Sequence, residues 1–291
     1  MTWDETLAFL TPCLPHSVSE SLQALPAGSL REIRLRVDQE VQLCCADRTH
    51  TVPERIAAPQ LSQICEALTD HSLYARSEET AQGYVTLSGG HRLGLCGQVH
   101  LHNGNIQLQH ITSACIRIAA AHKGCASDLY TMVQHGLLVI GPPGSGKTTL
   151  LRDLARHIAD SHPTALLDER CELSACAKGV PQLDIGPADV LCGLPKAQAT
   201  FWVIRSMAPE FIITDEIASG DESRSLLDTY ACGSEILASV HGRSLNEAVR
   251  RSAIQPLIAA RCFGCYVVLS ADQPGHITAI HDRSGNPLSL P

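Results

Sequence analysis

The sequence predicts an α/β protein of two domains, a smaller mixed α/β domain over residues 1–124 and a parallel-sheet α/β domain over 125–291. Three observations carry this. From Leu137 onward, short apolar runs alternate with amphipathic stretches of helical spacing, the pattern of a parallel sheet buried on both faces. Before that point the pattern is different, with charged and apolar residues alternating at period two and a hairpin signal at Asn103-Gly104. The length of 291 residues suits about two domains at roughly 150 residues each.

Taken in order, Arg31-Glu-Ile-Arg-Leu-Arg-Val37 reads as a strand with one solvated face. Gln60 to Asp70 has helical spacing, with Leu61, Ile64, Cys65 and Leu68 on one stripe. Leu93 to Leu108 reads as two strands joined at Asn103-Gly104, since both turn residues tolerate positive φ. Leu87-Ser-Gly-Gly-His91 is expected to be a turn between two strands. A strand around Cys115 to Ala119 closes the first domain, the boundary falls near Lys123-Gly124, and a helix is expected from Ser127 to Gln134. Five apolar runs then follow: Leu137 to Ile140, Ala165 to Leu167, Phe211 to Thr214, Ile236 to Val240 and Tyr266 to Leu269. Between them lie helical segments from Lys147 to Asp160, Gln198 to Met207, Glu222 to Tyr230 and Leu245 to Ser252. This is the layout of a RecA-like core. The last residues, from Asp272, read as a hairpin or tail around Ser284-Gly-Asn-Pro.

Composition narrows the function classes. With 44% apolar and 18% charged residues and a net charge of −8, the chain is a folded globular protein. The acidic balance and 4% aromatics argue against a dedicated nucleic-acid binder, which needs a concentrated positive face. No run of 18 apolar residues occurs, so no transmembrane span is expected. The acidic start Met1-Thr-Trp-Asp-Glu5 lacks the basic region of a signal peptide, which predicts a cytoplasmic protein. The thirteen cysteines are irregularly spaced and include a lone C-x-x-C at Cys262 and Cys265. Zinc would require a second pair, so core thiols are expected.

Gly141-Pro142-Pro143-Gly144-Ser145-Gly146-Lys147-Thr148, followed by Thr149, fits G-x-x-x-x-G-K-[ST] between a predicted strand and a predicted helix. Such a loop turns backbone N–H groups toward phosphates at the positive end of a helix. Lys147 would neutralise the γ-phosphate, and Thr148 would offer its hydroxyl to Mg²⁺. Phe211-Ile-Ile-Thr-Asp215-Glu216 places two carboxylates at the end of a buried strand. Asp215 would hold Mg²⁺ through water, while Glu216 would polarise the attacking water. The absence of an N-K-x-D motif favours ATP over GTP. Asp168-Glu169-Arg170 and His241 lie at other strand ends and are expected to face the same crevice. There Glu169 could share water activation and His241 could report the γ-phosphate.

Beyond these motifs, several runs resemble the stage III sporulation protein AA family of endospore-forming Firmicutes. They are Arg31-Glu-Ile-Arg-Leu-Arg36, Gly89-Gly-His-Arg-Leu-Gly-Leu-Cys-Gly97, Ile116-Arg-Ile118, Lys123-Gly-Cys125, Leu167-Asp-Glu-Arg170, Gly179-Val-Pro-Gln-Leu-Asp184 and Ile204-Arg-Ser-Met-Ala-Pro209. That family is similar in turn to the hexameric ATPases of type II and type IV secretion and pilus retraction. The resemblance implies an ATPase with ATP and Mg²⁺ at its site, a homo-hexameric ring, and docking on integral-membrane proteins of a channel between mother cell and forespore. It places the acidic box of those motors on Asp168-Glu169 and their His box on Val240-His241-Gly242. It also makes Arg92, Arg117 and Arg205 candidates for nucleotide contact. Pilus motors usually carry Gly where this chain has Asp215, which leaves either Glu169 or Glu216 as the main base. Two other functions share these motifs: an ATP-dependent nucleic-acid translocase, and a scaffold that binds nucleotide with little turnover. A small-molecule kinase would usually lack the Asp215-Glu216 pair.

Overall fold

The computed structural model describes residues 2–73, 76, 79–80, 83–102, 105–119, 122–177 and 179–290. The chain divides into two compact units, Met1–Ala120 and Ala121–Pro291.

In the first unit, helices α1 (Trp3–Leu10), α2 (His16–Gln23) and α3 (Ala58–Leu68) accompany strands β1 (Leu30–Arg36), β2 (Glu40–Cys45), β3 (Thr49–Arg55), β4 (Tyr84–Thr86), β5 (Arg92–His102) and β6 (Asn105–Arg117). The strands form one antiparallel sheet in the order β3-β2-β1-β6-β5-β4. From Glu32 on, period-two alternation does what it predicts, with Ile33 and Leu35 buried and Arg34 between them facing solvent, whereas a register shift between Leu30 and Glu32 turns Arg31 outward although it shares the parity of Ile33. The stripe Leu61, Ile64, Cys65 and Leu68 of α3 packs into the same core. The expected hairpin forms, with His102 opposite Asn105 at its end, and Asn103-Gly104 themselves lie outside the described residues. The segment expected as a strand of its own at Cys115 to Ala119 is instead the end of β6, because β6 runs unbroken to Arg117 against β1 and β5. Leu87 to His91 is a tight turn between β4 and β5, as expected.

The second unit is a RecA-like sheet. Its strands are β7 (Leu137–Ile140), β8 (Thr164–Asp168), β9 (Asp189–Cys192), β10 (Phe211–Glu216), β11 (Glu235–Val240), β12 (Cys265–Leu269), β13 (Ile277–Asp282) and β14 (Pro287–Leu288), in the order β14-β13-β12-β7-β11-β10-β8-β9. Strands β12 through β9 in that order run parallel, while the terminal hairpin β13–β14 joins antiparallel at the edge. The apolar runs are continuous because both faces are covered. On one face Val139, Leu166, Ile213, Leu237 and Val267 meet Leu150, Leu151 and Leu154 of α4 (Lys147–Ala159). On the other, Ile140, Leu167, Ile212, Ala238 and Val268 pack with Ala199 and Val203 of α5 (Lys196–Met207) and Leu226 of α6 (Gly220–Ala231). Each such fully buried leucine contributes about 1.5–3 kcal/mol.

Two helices differ from expectation. Ser127 to Gln134 is a pair of 3₁₀ turns, Ser127–Leu129 and Val133–His135. The buried Asp153 carboxylate accepts from Gly124 N, Ala126 N and Tyr130 Oη, each at 2.9 Å, and so satisfies this segment without a regular helix. The stretch from Leu245 to Ser252 is helical only over α7 (Leu245–Ala248), and a second short helix, α8 (Gln255–Ala259), starts afresh with Pro256 in its first turn. Cys262 and Cys265 are both buried, and burial pushes their thiols up to about 11 and about 12.

Candidate functional site

The loop 141–148 joins the end of β7 to α4 and is tied to the end of β11. Gly141 N donates to Val240 O at 3.2 Å, and Gly242 N donates to Gly141 O at 3.4 Å. Gly146 caps α4 with φ +95°, and a Cβ there would sit 3.0 Å from Gly275 N, which itself donates to Ser145 O at 2.8 Å. Both the backbone conformation and the close approach require glycine. No side chain caps α4, so its first N–H groups are left for a ligand. Ser145 Oγ, with its residue 1% exposed, has no hydrogen-bond partner among the described residues. An open helix start, a glycine cradle and an orphaned buried hydroxyl together fit a bound phosphate chain.

Beside the loop lies a cleft of about 490 Å³, lined among others by Gly144, Lys147, Thr148, Glu169, Asp215 and His241. Parallel strands all point their carboxyl ends to one edge, so side chains remote in sequence meet there. Lys147 is buried, and its Nζ donates to Gly141 O and Pro142 O, both at 2.9 Å, and to His241 Nδ1 at 3.1 Å. Because Nδ1 accepts, the imidazole proton sits on Nε2, 2.8 Å from Glu216 Oε2. Lys147, His241 and Glu216 thus form a continuous chain from the loop 141–148 to the end of β10. Burial lowers the Lys147 pKa, with the Glu216 carboxylate opposing that effect and Arg251 adding to it. Asp215 is 5% exposed, and burial raises its pKa against the pull of Lys196.

Lys196, which sequence reasoning missed, pairs with Asp215 Oδ1 and donates to the Glu216 carbonyl. Its backbone N donates to Glu169 Oε2 at 3.3 Å. It is the first residue of α5, where a cation opposes the helix dipole by about 0.3–1 kcal/mol. It is also 8% exposed, and an unpaired buried charge would cost far more than the dipole term. A lysine at a helix start, in a chain with only four lysines, was the signal available in the sequence.

The other predicted residues are distributed as follows. Pro143, Gly144, Lys147, Thr148, Glu169, Arg170, Asp215, Glu216 and His241 line the cleft, whereas Gly141, Pro142, Ser145 and Gly146 form the loop behind it. Thr149 faces a separate small recess with Lys123, Arg152 and Asp153. Asp168 does not face the crevice with its neighbour. It is fully buried and accepts from Glu172 N at 2.8 Å, Leu173 N at 3.0 Å, Ser174 N at 2.8 Å and Ser174 Oγ at 2.6 Å, which folds the following loop over it. Arg205 is exposed and lies nine residues along α5 from Lys196, about 13 Å at the helical rise, so it does not line this cleft. Arg92 and Arg117 belong to the first unit, where they are register partners across β5 and β6. Arg92 stacks over Tyr84 at 4.3 Å, and Arg117 meets Glu32 at 3.3 Å.

Solved structures of this fold include the Legionella pneumophila ATPase DotB, with a TM-score of 0.55 and 16% identity over 90% of this chain and 75% of that one. The pilus retraction motor PilT with bound ADP gives a TM-score of 0.58 and 14% identity over 86% of this chain and 76% of that one. At such identities the likeness is one of fold. In sequence, stage III sporulation protein AA of Bacillus subtilis (strain 168) is 36% identical over 95% of both chains. The family described as Sporulation stage III, protein AA matches residues 17–288. This chain, matched along nearly its whole length, belongs to that family.

Proposed function

We propose that the chain is an ATP hydrolase whose turnover drives a membrane-associated assembly. The observation that supports this most is the Lys147–His241–Glu216 chain at the edge of a parallel sheet. ATP would lay its phosphates along loop 141–148, with Lys147 turning from Gly141 O and Pro142 O to the γ-phosphate. Thr148 and Asp215 would hold Mg²⁺, which supplies charge neutralisation of the phosphates when bound. Glu216 takes the role of main base. His241 orients its carboxylate, and loses Lys147 as a partner once the γ-phosphate arrives, which makes this histidine the nucleotide's reporter. Glu169, engaged with the Lys196 amide, serves as a second carboxylate at the helix start.

The ATPase fold of DotB and PilT supports the enzymatic reading, and the B. subtilis relative supports a place in sporulation. A homo-hexameric ring, with Arg92, Arg117 or Arg205 reaching a neighbour's nucleotide, and docking on integral-membrane proteins follow from the family resemblance. No helix among the described residues is long and apolar enough to cross a membrane. The test is ATP hydrolysis by wild type and Glu216→Gln across a range of protein concentrations, with mass measured by light scattering. Specific activity is expected to rise as a ring appears, and Glu216→Gln to lose roughly 10²–10⁴-fold in turnover while still binding ATP. A protein that binds ATP and stays silent at every concentration would replace this reading with a nucleotide-dependent scaffold.

A further inference from the structure

Three basic side chains, Lys147, Arg170 and Lys196, line the cleft, and two of them are engaged within the chain. Lys147 bonds Gly141 O, Pro142 O and His241, and Lys196 pairs with Asp215. Arg170 has no hydrogen-bond or ion-pair partner among the described residues, although Glu169 and Glu172 stand one and two positions away. The loop that carries it is nonetheless fastened at several points. Asp168 accepts from Glu172 N, Leu173 N and Ser174 N, and Glu169 Oε2 is turned toward Lys196 N. Arg152 of α4 donates to Glu172 O and Leu173 O, so the helix that starts at loop 141–148 also holds this loop. Cys171 N donates to Asp168 O at 3.1 Å, and Cys171 itself has φ +52°, a conformation that a non-glycine residue keeps only where its surroundings impose it. The result is a fixed backbone presenting one guanidinium, with its fork of five N–H donors, to the cleft. That fork matches phosphate oxygens two at a time.

We propose that Arg170 is a catalytic residue whose guanidinium donates to the γ-phosphate of ATP bound in the same chain. The assignment rests on the ATPase reading. Strands β7 and β8 flank β11 and β10 in the sheet, so the γ-phosphate is met by Lys147 from one side and by Arg170 from the other. In hydrolysis the water oxygen bonds to the γ-phosphorus, the bond from that phosphorus to the β,γ-bridging oxygen breaks, Glu216 takes the water proton, and ADP leaves with the electron pair on its former bridging oxygen. A guanidinium already fixed beside the γ-phosphoryl oxygens stabilises their charge with no rearrangement during the reaction. Arg170 lines the cleft together with Lys147 and Thr148 of its own chain, which makes this a contact within one chain rather than with a neighbour's nucleotide.

The probes are ADP and the β,γ-imido analogue of ATP, each with Mg²⁺, titrated into the full-length protein by calorimetry, with ATP turnover measured in parallel. Arg170 is exposed, so Arg170→Ala is expected to keep the wild-type urea midpoint. Its turnover is expected to fall about 10²–10³-fold. Its affinity for the imido analogue is expected to fall about tenfold or more, while its affinity for ADP stays within about twofold of wild type. Arg170→Lys restores the charge without the fork and is expected to recover part of both losses. Should Arg170→Ala fail to fold by circular dichroism, Arg170→Gln carries the same expectations. A folded neutral variant whose preference for the analogue over ADP equals that of wild type overturns the proposal even where turnover is lost, because the defect then lies in the loop and not at the γ-phosphate. The ATPase reading fails separately. Wild type that binds both nucleotides without turnover ends the hydrolase reading and leaves the preference comparison to judge Arg170, whereas wild type that binds neither overturns both.

Discussion

Replacing Asp168 by Asn tests whether this residue builds the site or acts in it. The side chain is fully buried and accepts four hydrogen bonds, two on each oxygen, from Glu172 N, Leu173 N, Ser174 N and Ser174 Oγ. Asparagine retains one acceptor oxygen, so two of the four survive. Its amide NH₂ is then forced against the Ser174 N–H and hydroxyl, and two bonds to a charged acceptor are lost, each worth about 1.5–3 kcal/mol. The Ser174 hydroxyl can rotate to accept from the new NH₂ and recover about 1 kcal/mol, leaving a net cost of about 2–5 kcal/mol. With a urea slope of about 2 kcal/mol/M, the unfolding midpoint of the unit carrying Asp168 falls by about 1–2.5 M. Native-state hydrogen exchange gives the local readout, because the amides of Glu172, Leu173 and Ser174 should lose protection first. An unchanged midpoint and unchanged protection at these amides, together with lost ATP turnover, would refute the reasoning and return Asp168 to the chemistry.

Two further outcomes are expected. His91 is fully buried with Nδ1 accepting from Ala119 N at 3.0 Å, and burial pushes its pKa down to about 4; since the unfolded chain takes up the proton first, near 6.5, stability is complete above that pH and declines as pH falls toward 4, by up to about 3 kcal/mol. Urea midpoints of wild type and His91→Asn measured from pH 7 to 4 should therefore diverge in slope, and parallel profiles would contradict the assignment. Gly146→Ala, at φ +95° and with its Cβ 3.0 Å from Gly275 N, should cost about 1–2 kcal/mol from the left-handed backbone alone, read as a lower melting temperature and weaker ATP binding.

Much of the second unit was legible in the sequence because its signals are local and strong. A strand buried on both faces must be apolar at every position, as Leu137 to Ile140 and Tyr266 to Leu269 are, and the loop 141–148 needs glycine at Gly144 and Gly146, where φ is positive. The first unit was less legible. Helices α1 and α2 have eight residues each, too few for a periodic stripe, although the capping box of Thr2 and Glu5 was readable. Strands β2 and β3 carry only Val41, Leu43 and Val52 inward, a faint alternation.

The site divides in the same way. The sequence by itself determined the loop 141–148, the acids Asp215 and Glu216 at a strand end, and His241 at another, because parallel strands deliver all their carboxyl ends to one edge. Only the tertiary structure decided what each group touches. Adjacent Asp168 and Glu169 look equivalent in one dimension, yet one is folded into a loop turn and the other lines the cleft. Lys196 is unremarkable nineteen residues before Asp215, and becomes its counter-ion because β10 and the start of α5 meet in space. Backbone conformation and strand burial are written in neighbouring residues, whereas the pairing of charges depends on distances that only the closed sheet sets.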